Sequence, residues 1–361
     1  MPNDIPKTMH AVYLTGHGGP ECLEYRTDVP VPTPGPGEVL IKIGAAGINN
    51  TDVNTRIGWY SKQVTGDTES ATQDLNAEDD DASWTGRPLV FPRIQGADAC
   101  GHIVAVGEGV DSARIGERVM VASLQPAPDA TDDWDFITWG SECDGGFAQY
   151  ATARSDQTHK VTSDLSDVEL ASFPCAYSTA ENLISRAGCQ AGDVVLITGA
   201  SGGVGSAAVQ LCKRRGAIVI AMASRAKHDQ MAGLGADRLL DRGDDPVAVL
   251  GEQSVTLVVD LVAGDGFPGL IACLKRGGRY ATSGAIGGPI TTLDVRDLYL
   301  KDLTFVGSTA QAAETMPNLI SYIEAGEIKP MVAQTFPLSD ITKAQDVFLQ
   351  KTFVGKLVLL P

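Results

Sequence analysis

The stretch RIQGADACGH, Arg93 to His102, brings Asp98, Cys100 and His102 within five residues of one another. Asp, Cys and His are side chains that bind zinc. A catalytic zinc takes about three protein ligands and keeps one position open, so the stretch is either a metal site or the place where one has been lost. A second stretch, DVVLITGASGGVGSAAVQLCKRRGA from Asp193 to Ala217, carries chemistry of another kind. An apolar run that reads as a strand enters a Gly-rich turn, and the turn opens a helix that ends before Gly216. Small residues at Ala200, Ser201, Gly202 and Gly203 let the backbone approach a pyrophosphate, and Val204 follows them in the candidate cofactor site. The first N–H groups of the helix and its dipole then favour the negative charge.

The spacing of this turn can be read in two ways. As Ala200-x-Gly202-x-x-Gly205 it is a dinucleotide fingerprint with Ala in the first position. As Thr198-Gly199-x-x-x-Gly203-x-Gly205 it matches the turn of short-chain dehydrogenases. Those enzymes need a Tyr with Lys four residues on, and none of the eight tyrosines here has one. About 20 residues beyond such a turn, NAD-binding folds place an acid for the ribose 2′-OH. That region reads IAMASRAKHDQ, with Ser224, Arg225 and Lys227 and no acid before Asp229. Cations stand where a 2′-phosphate belongs, and NADPH is the expected cofactor.

The elements that must hold these groups fall into two textures. Residues 9–47 alternate or run apolar between Gly- and Pro-rich turns, and GHIVAVG, ERVMVA and GFAQYATA continue the pattern, as a barrel-like β domain does. From Asp193 apolar runs of four to seven residues alternate with amphipathic helices, which predicts a parallel sheet covered on both faces. At 361 residues the chain suits two domains. Its net charge of −17 argues against nucleic acid and anionic lipid as partners. Seven of the acids lie in GDTESATQDLNAEDDD, Gly66 to Asp81, without one base. The bland reading of this insert is a solvated loop; the sharper one is an acidic rim beside a substrate entrance. The longest apolar run, Ala217 to Ala223, falls far short of a membrane span. The N-terminal residues lack a signal-peptide pattern, and seven scattered cysteines suit reduced thiols. A cytoplasmic protein is expected.

The motifs GPGEVLIKIGAAGIN, GADACGHIVAVGEGV, GERVMV, GGFAQY, GASGGVG, GGRYATSGA, LKDLTFVGST and FVGKLVLLP together resemble the medium-chain dehydrogenase/reductase superfamily. The resemblance spans nearly the whole chain. It implies an α/β protein: a GroES-like β-barrel domain, 1–161 and 318–361, plus a Rossmann domain with a doubly wound parallel sheet, 162–317. Zinc members carry Gly-His-Glu where this chain has Gly96-Ala97-Asp98, and a ligand Cys where it has Asn49. Their closely spaced structural-zinc cysteines have no counterpart. The resemblance therefore implies a lost metal site, with Cys100 and His102 as packing residues.

It points to the zinc-free branch of quinone oxidoreductase-like and enoyl reductase-like enzymes. GINNTDVNTRIGWYS matches the pattern Asn-x-Ser/Thr-Asp-x-Asn…Gly-x-Tyr of 2-enoyl thioester reductases without a gap. By that match Tyr60 donates a proton, Asn49 sits close to the nicotinamide, Thr179 faces it and Gly284 lines the cofactor site. Trp59 is a candidate apolar wall. Against these roles stand plainer ones: Asn49 and Asn54 as turn stabilisers, Tyr60 as a loop aromatic. The expected reaction is NADPH-dependent reduction of an activated C=C bond (enone, enal or enoyl) or of a quinone. An acyl-CoA thioester is strongly anionic and the acidic insert repels it, so a small, neutral, apolar acceptor is expected. Two alternatives stand beside this reading: an alcohol dehydrogenase or ketone reductase of the same fold, and an NADPH-binding protein without turnover. LTFVGS resembles the edge strand that pairs subunits in the superfamily, and a homodimer through 303–308 is expected.

Overall fold

Strands of four to nine residues between Val194 and Gly307 form one parallel sheet. Its order is Arg238–Asp241, Ile218–Ala223, Val194–Ile197, Val255–Asp260, Leu274–Thr282 and Thr304–Gly307. Successive side chains of a strand point to opposite faces. Accordingly Val195 and Ile197 enter the core on one face, and Leu196 enters the core on the other. Both faces are covered, so the strand reads apolar without alternation. Helices Pro174–Arg186 and Gly203–Arg214 cover the first face, and Phe267–Cys273 the second. The strand order reverses beside Val194–Ile197, and ligands of such sheets bind in the crevice beyond the carboxyl ends at that point.

The computed structural model describes residues 5–68, 82–128 and 130–361. All but the first three residues of the acidic insert 66–81 lie outside the described residues, and so do the expectations placed on it.

The β domain is built around Glu38–Gly47. This strand pairs antiparallel with Cys100–Val106, Tyr150–Arg154 and Lys356–Leu360. Arg118–Val121 and Thr158–Lys160 extend the sheet at one side and Val332–Pro337 at the other. A three-stranded sheet of Leu23–Pro30, Thr8–Leu14 and Arg93–Ile94 shares its core, in which Leu14, Val39, Ile41 and Phe147 are fully buried. Between the two sheet systems Ser166 caps the short helix Asp167–Leu170, its N–H donating to Glu169 at 2.8 Å.

The chain thus has the expected architecture, a GroES-like β domain and a doubly wound Rossmann sheet. The C-terminal segment returns to the first domain and pairs there, Val358 with Gly47 and Leu359 with Ala46. That return places Lys356, the first residue of the last strand, against both domains. Among the described residues no helix is long and apolar enough to cross a membrane.

Candidate active site

The Gly-rich turn follows Val194–Ile197 directly. Gly199 has φ +57°, a conformation that favours glycine. A Cβ at Gly205 would stand 2.3 Å from the Gly199 carbonyl oxygen, so the helix and turn close only over glycine. Helix Gly203–Arg214 begins with Gly202 as its N-cap, without a side-chain cap and without an acid in the first turn. Its N-terminal N–H groups therefore suit an anion.

These groups border a crevice of about 1460 Å³, solvent-open space included. Ser201, Gly202, Gly203, Ser224 and Lys227 line it. Two other expected residues lie apart from it. Ala200 is fully buried beneath the turn, its N–H donating to the Met222 carbonyl at 3.1 Å. The Arg225 side chain is 83% exposed and lies 3.5 Å from the Asp241 carboxylate. Arg242 and Lys351, which sequence reasoning missed, line the crevice instead. The Lys227 ammonium donates to the Lys351 carbonyl at 2.6 Å and faces Ser201 Oγ at 3.4 Å. Lys351 Nζ donates to Asn50 Oδ1 at 2.8 Å. Burial, with Lys227 and Lys356 close by, pulls the Lys351 pKa down to about 7. Cations gathered in one crevice of a protein of net charge −17 mark an anion site.

The crevice is continuous, through Gly202 and Gly203, with a cleft of about 950 Å³ between the domains. Asn49, Tyr60 and Thr179 all line this cleft, together with Val204 and Gly284. Tyr60 follows helix Asn50–Arg56, and Thr51 and Asn54 of that helix face its hydroxyl. No hydrogen bond of ordinary geometry joins them: Thr51 Oγ1 and Asn54 Oδ1 are buried and unpartnered. Burial pushes the Tyr60 phenol well above its ordinary range, so it stays protonated. Thr179 sits on helix Pro174–Arg186, nearly buried.

Asn49 caps helix Asn50–Arg56, its N–H donating to Asp52 at 2.7 Å. Both ends of its side chain are engaged. Nδ2 donates to Asp98 Oδ2 at 2.9 Å, and Oδ1 accepts from Lys356 Nζ at 2.5 Å. Lys356 Nζ also donates to Asp98 Oδ2 at 2.6 Å, and the Cys175 N–H donates to Asp98 Oδ1 at 2.6 Å. Burial lifts the Asp52 carboxyl to about 7 despite the Asn49 N–H and nearby Lys356.

The match to known proteins is extensive. Residues 35–163 match the alcohol dehydrogenase GroES-like domain family, and residues 203–325 match the zinc-binding dehydrogenase family. A solved structure of a putative alcohol dehydrogenase from Sinorhizobium meliloti 1021 is 45% identical, with TM-score 0.89 over 99% of this chain and 98% of that one. The chain belongs to the medium-chain dehydrogenase/reductase superfamily. Human quinone oxidoreductase is 26% identical over 98% of both chains. The NADP complex of the crotonyl-CoA carboxylase/reductase AntE is 26% identical, with TM-score 0.80 over 99% of this chain and 95% of that one. As a member of the superfamily the chain is an oxidoreductase that uses a nicotinamide cofactor, and the uncapped helix start, glycine turn and cationic crevice fit that group.

Zinc, named in one of the two matching families, fits poorly. Asn49 and Ala97 stand where the resemblance puts two ligands of zinc members, and the Lys356 ammonium donates to both Asn49 and Asp98. Among the described residues no three of His, Cys, Asp and Glu are grouped to hold a metal ion. Cys100 and His102 do not converge. Cys100 is buried with its thiol donating to Asp167 Oδ1 at 3.6 Å, and His102 is exposed on the same strand.

Proposed function

We propose that this chain is an NADPH-dependent, zinc-independent reductase of an activated C=C bond or a quinone. The observation that carries the reading is the Tyr60 hydroxyl. Tyr60 lines the same cleft as the glycine turn, and beside it Asn49, Asp98 and Lys356 are bonded to one another, which supports chemistry without a zinc there.

The backbone of the Gly202–Gly203 turn and the start of its helix hold the pyrophosphate. Ser224, Lys227 and Arg242 take the 2′-phosphate. The two acids that line the crevice among the described residues are engaged: Asp244 accepts from the Asp241 N–H at 2.8 Å, and Asp260 accepts from the Thr198 and Tyr280 hydroxyls. When bound, the nicotinamide supplies a hydride to an electron-poor carbon. Tyr60 gives its proton to the acceptor, which then leaves with one hydride and one proton added. Thr51 and Asn54 stabilise the phenolate left behind, and Tyr60 regains its proton from solvent through the cleft once the product has left. The Lys356 ammonium, held by Asp98, contributes positive potential where an oxyanion develops. Trp59, Leu261, Ile286 and Phe348 make the cleft apolar, which suits a small neutral acceptor.

The edge strand Thr304–Gly307 with its own exposed Phe305, and the exposed Tyr299 and Leu300 before it, supply a pairing surface for a second copy. Monomeric elution at micromolar concentration overturns that part. All seven cysteines are free, which suits a reducing compartment such as the cytoplasm.

The test follows cofactor oxidation optically with a panel of enones, enals, quinones and crotonyl-CoA. The expected result is turnover of neutral acceptors with NADPH preferred to NADH and no loss on chelation. Preference for NADH, or inactivation by a chelator with recovery by zinc, overturns the reading. Silence across the panel despite NADPH binding favours a binding protein without turnover.

A further inference from the structure

Thirty residues separate Tyr60 from Phe91, and the end of that segment builds a wall of the acceptor cleft. Trp84 lies just beyond the acidic insert. Its ring is parallel to that of Tyr60, with 7° between the planes and centroids 6.5 Å apart. Trp59 meets Tyr60 edge-on, at 5.6 Å and 78°. All three aromatic residues line the cleft that holds Asn49 and Thr179.

The segment carrying Trp84 is anchored on both sides. The Thr85 hydroxyl donates to Glu142 Oε1 at 2.7 Å, and Glu142 Oε2 accepts from the Thr138 N–H at 2.7 Å. Arg87 pairs with Asp135. Ser83, almost fully buried, donates to the Arg87 carbonyl at 2.6 Å. The Thr85 and Arg87 ties run to the stretch from Asp135 to Glu142, and the Ser83 bond closes the segment on itself. Trp84 is therefore a fixed flat surface, not a free loop tip.

Resting on the reductase reading, we propose that Trp84 is a specificity-determining residue that selects acceptors bearing a planar aryl or extended conjugated group next to the reducible bond. A flat π-system in the cleft gains offset or edge contacts with Trp84 and Trp59 that an alkyl chain does not make. No cation but Lys356, already bound to Asp98 and Asn49, lines the cleft among the described residues. The wall therefore favours a neutral ring over an anionic one.

The experiment compares wild type, Trp84→Ala, Trp84→Phe and Thr85→Val on matched ligands. One readout is kcat/KM for benzylideneacetone and for its methyl counterpart ethylideneacetone. The other is calorimetric binding of the saturated ketones benzylacetone and methyl propyl ketone to the NADP+-loaded protein. Trp84→Ala is expected to lose about tenfold on the aryl ligand in both readouts and less than about twofold on the alkyl ligand. Trp84→Phe keeps most of the aryl preference, and Thr85→Val loses part of it in the same direction. Equal losses on aryl and alkyl ligands, or none, overturn the proposal. The binding readout stands without turnover: a wild type that reduces neither enone but prefers benzylacetone, with that preference lost in Trp84→Ala, overturns the reductase reading and upholds the role of Trp84.

Discussion

The Lys356 ammonium lies 2.6 Å from the Asp98 carboxylate, and the two side chains are 3% and 0% exposed. Asp98 belongs to the β domain, and Lys356 starts the strand that closes it against the Rossmann domain. A buried pair of this kind gains little over an apolar pair, but removing one partner strands a charge, at a cost of about 3–5 kcal/mol. Lys356→Met is therefore expected to lower the unfolding free energy by about that amount. Adding Asp98→Asn recovers a good part of it. Denaturant unfolding of the two variants checks this. Equal stability of the single and double variants would mean that Asp98 finds another partner or takes up a proton.

Tyr60→Phe keeps the ring against Trp84 and removes only the proton. It is expected to lower kcat by about 10²–10⁴, the usual contribution of a placed general acid. NADPH affinity stays the same, since the side chains that face the hydroxyl, Thr51 and Asn54, belong to helix Asn50–Arg56. Stopped-flow turnover with a parallel binding titration separates the two. A drop of less than twofold in kcat removes Tyr60 from the chemistry.

The groups that were legible in the sequence are those whose partners lie close along the chain. The strand, turn and helix from Val194 to Arg214 could be read because a buried strand, glycine spacing and helical periodicity are local patterns. Arg242 was not legible. It follows the strand Arg238–Asp241, and it reaches the crevice because that strand pairs beside Ile218–Ala223. Lys356 meets Asp98 across 258 residues of sequence, a contact that only the returning tail creates. Asn49 was legible as a cleft residue, but not as the group clamped between Asp98 and Lys356. Trp84 adjoins an acidic insert with no period of its own, so nothing in its spacing marked it as part of the cleft.

Lys227 and Arg242 approach the same end of the crevice from different strand ends. A charged hydrogen bond contributes about 1.5–3 kcal/mol, so Arg242→Ala is expected to weaken NADPH binding roughly 10- to 100-fold. NADH, lacking the 2′-phosphate, loses less than about threefold. Lys227→Ala acts in the same direction. Dissociation constants by fluorescence titration for both cofactors check the pair. Equal losses for NADPH and NADH place Arg242 on the shared part of the dinucleotide.

Lys351 gives the site a pH dependence of definite sign. It is held at φ +52° at the end of helix Ile341–Gln350, with its Nζ over the Phe348 ring at 3.6 Å and bonded to Asn50. In the free protein its pKa is pulled down to about 7 by burial and by Lys227 and Lys356. A bound dinucleotide brings negative phosphates into that crevice and raises it again. Below pH about 7 the free and bound forms are both protonated, and affinity does not change through this group. Above it the free form has lost the proton while the complex keeps it, so binding takes up a proton and weakens by up to about tenfold per pH unit. The 2′-phosphate has finished most of its own ionisation by then, with a pKa of about 6. NADPH affinity is therefore expected to fall between pH 7 and 9 in the wild type. In Lys351→Met the profile flattens over the same window, and affinity at pH 7 falls at least as far as the wild type loses between pH 7 and 9, because the half-ionisation of the free lysine there offsets only about a factor of two. Calorimetry in two buffers of different ionisation enthalpy reads the proton directly. Unaltered proton uptake at pH 8 in Lys351→Met assigns the titration to Lys227 instead.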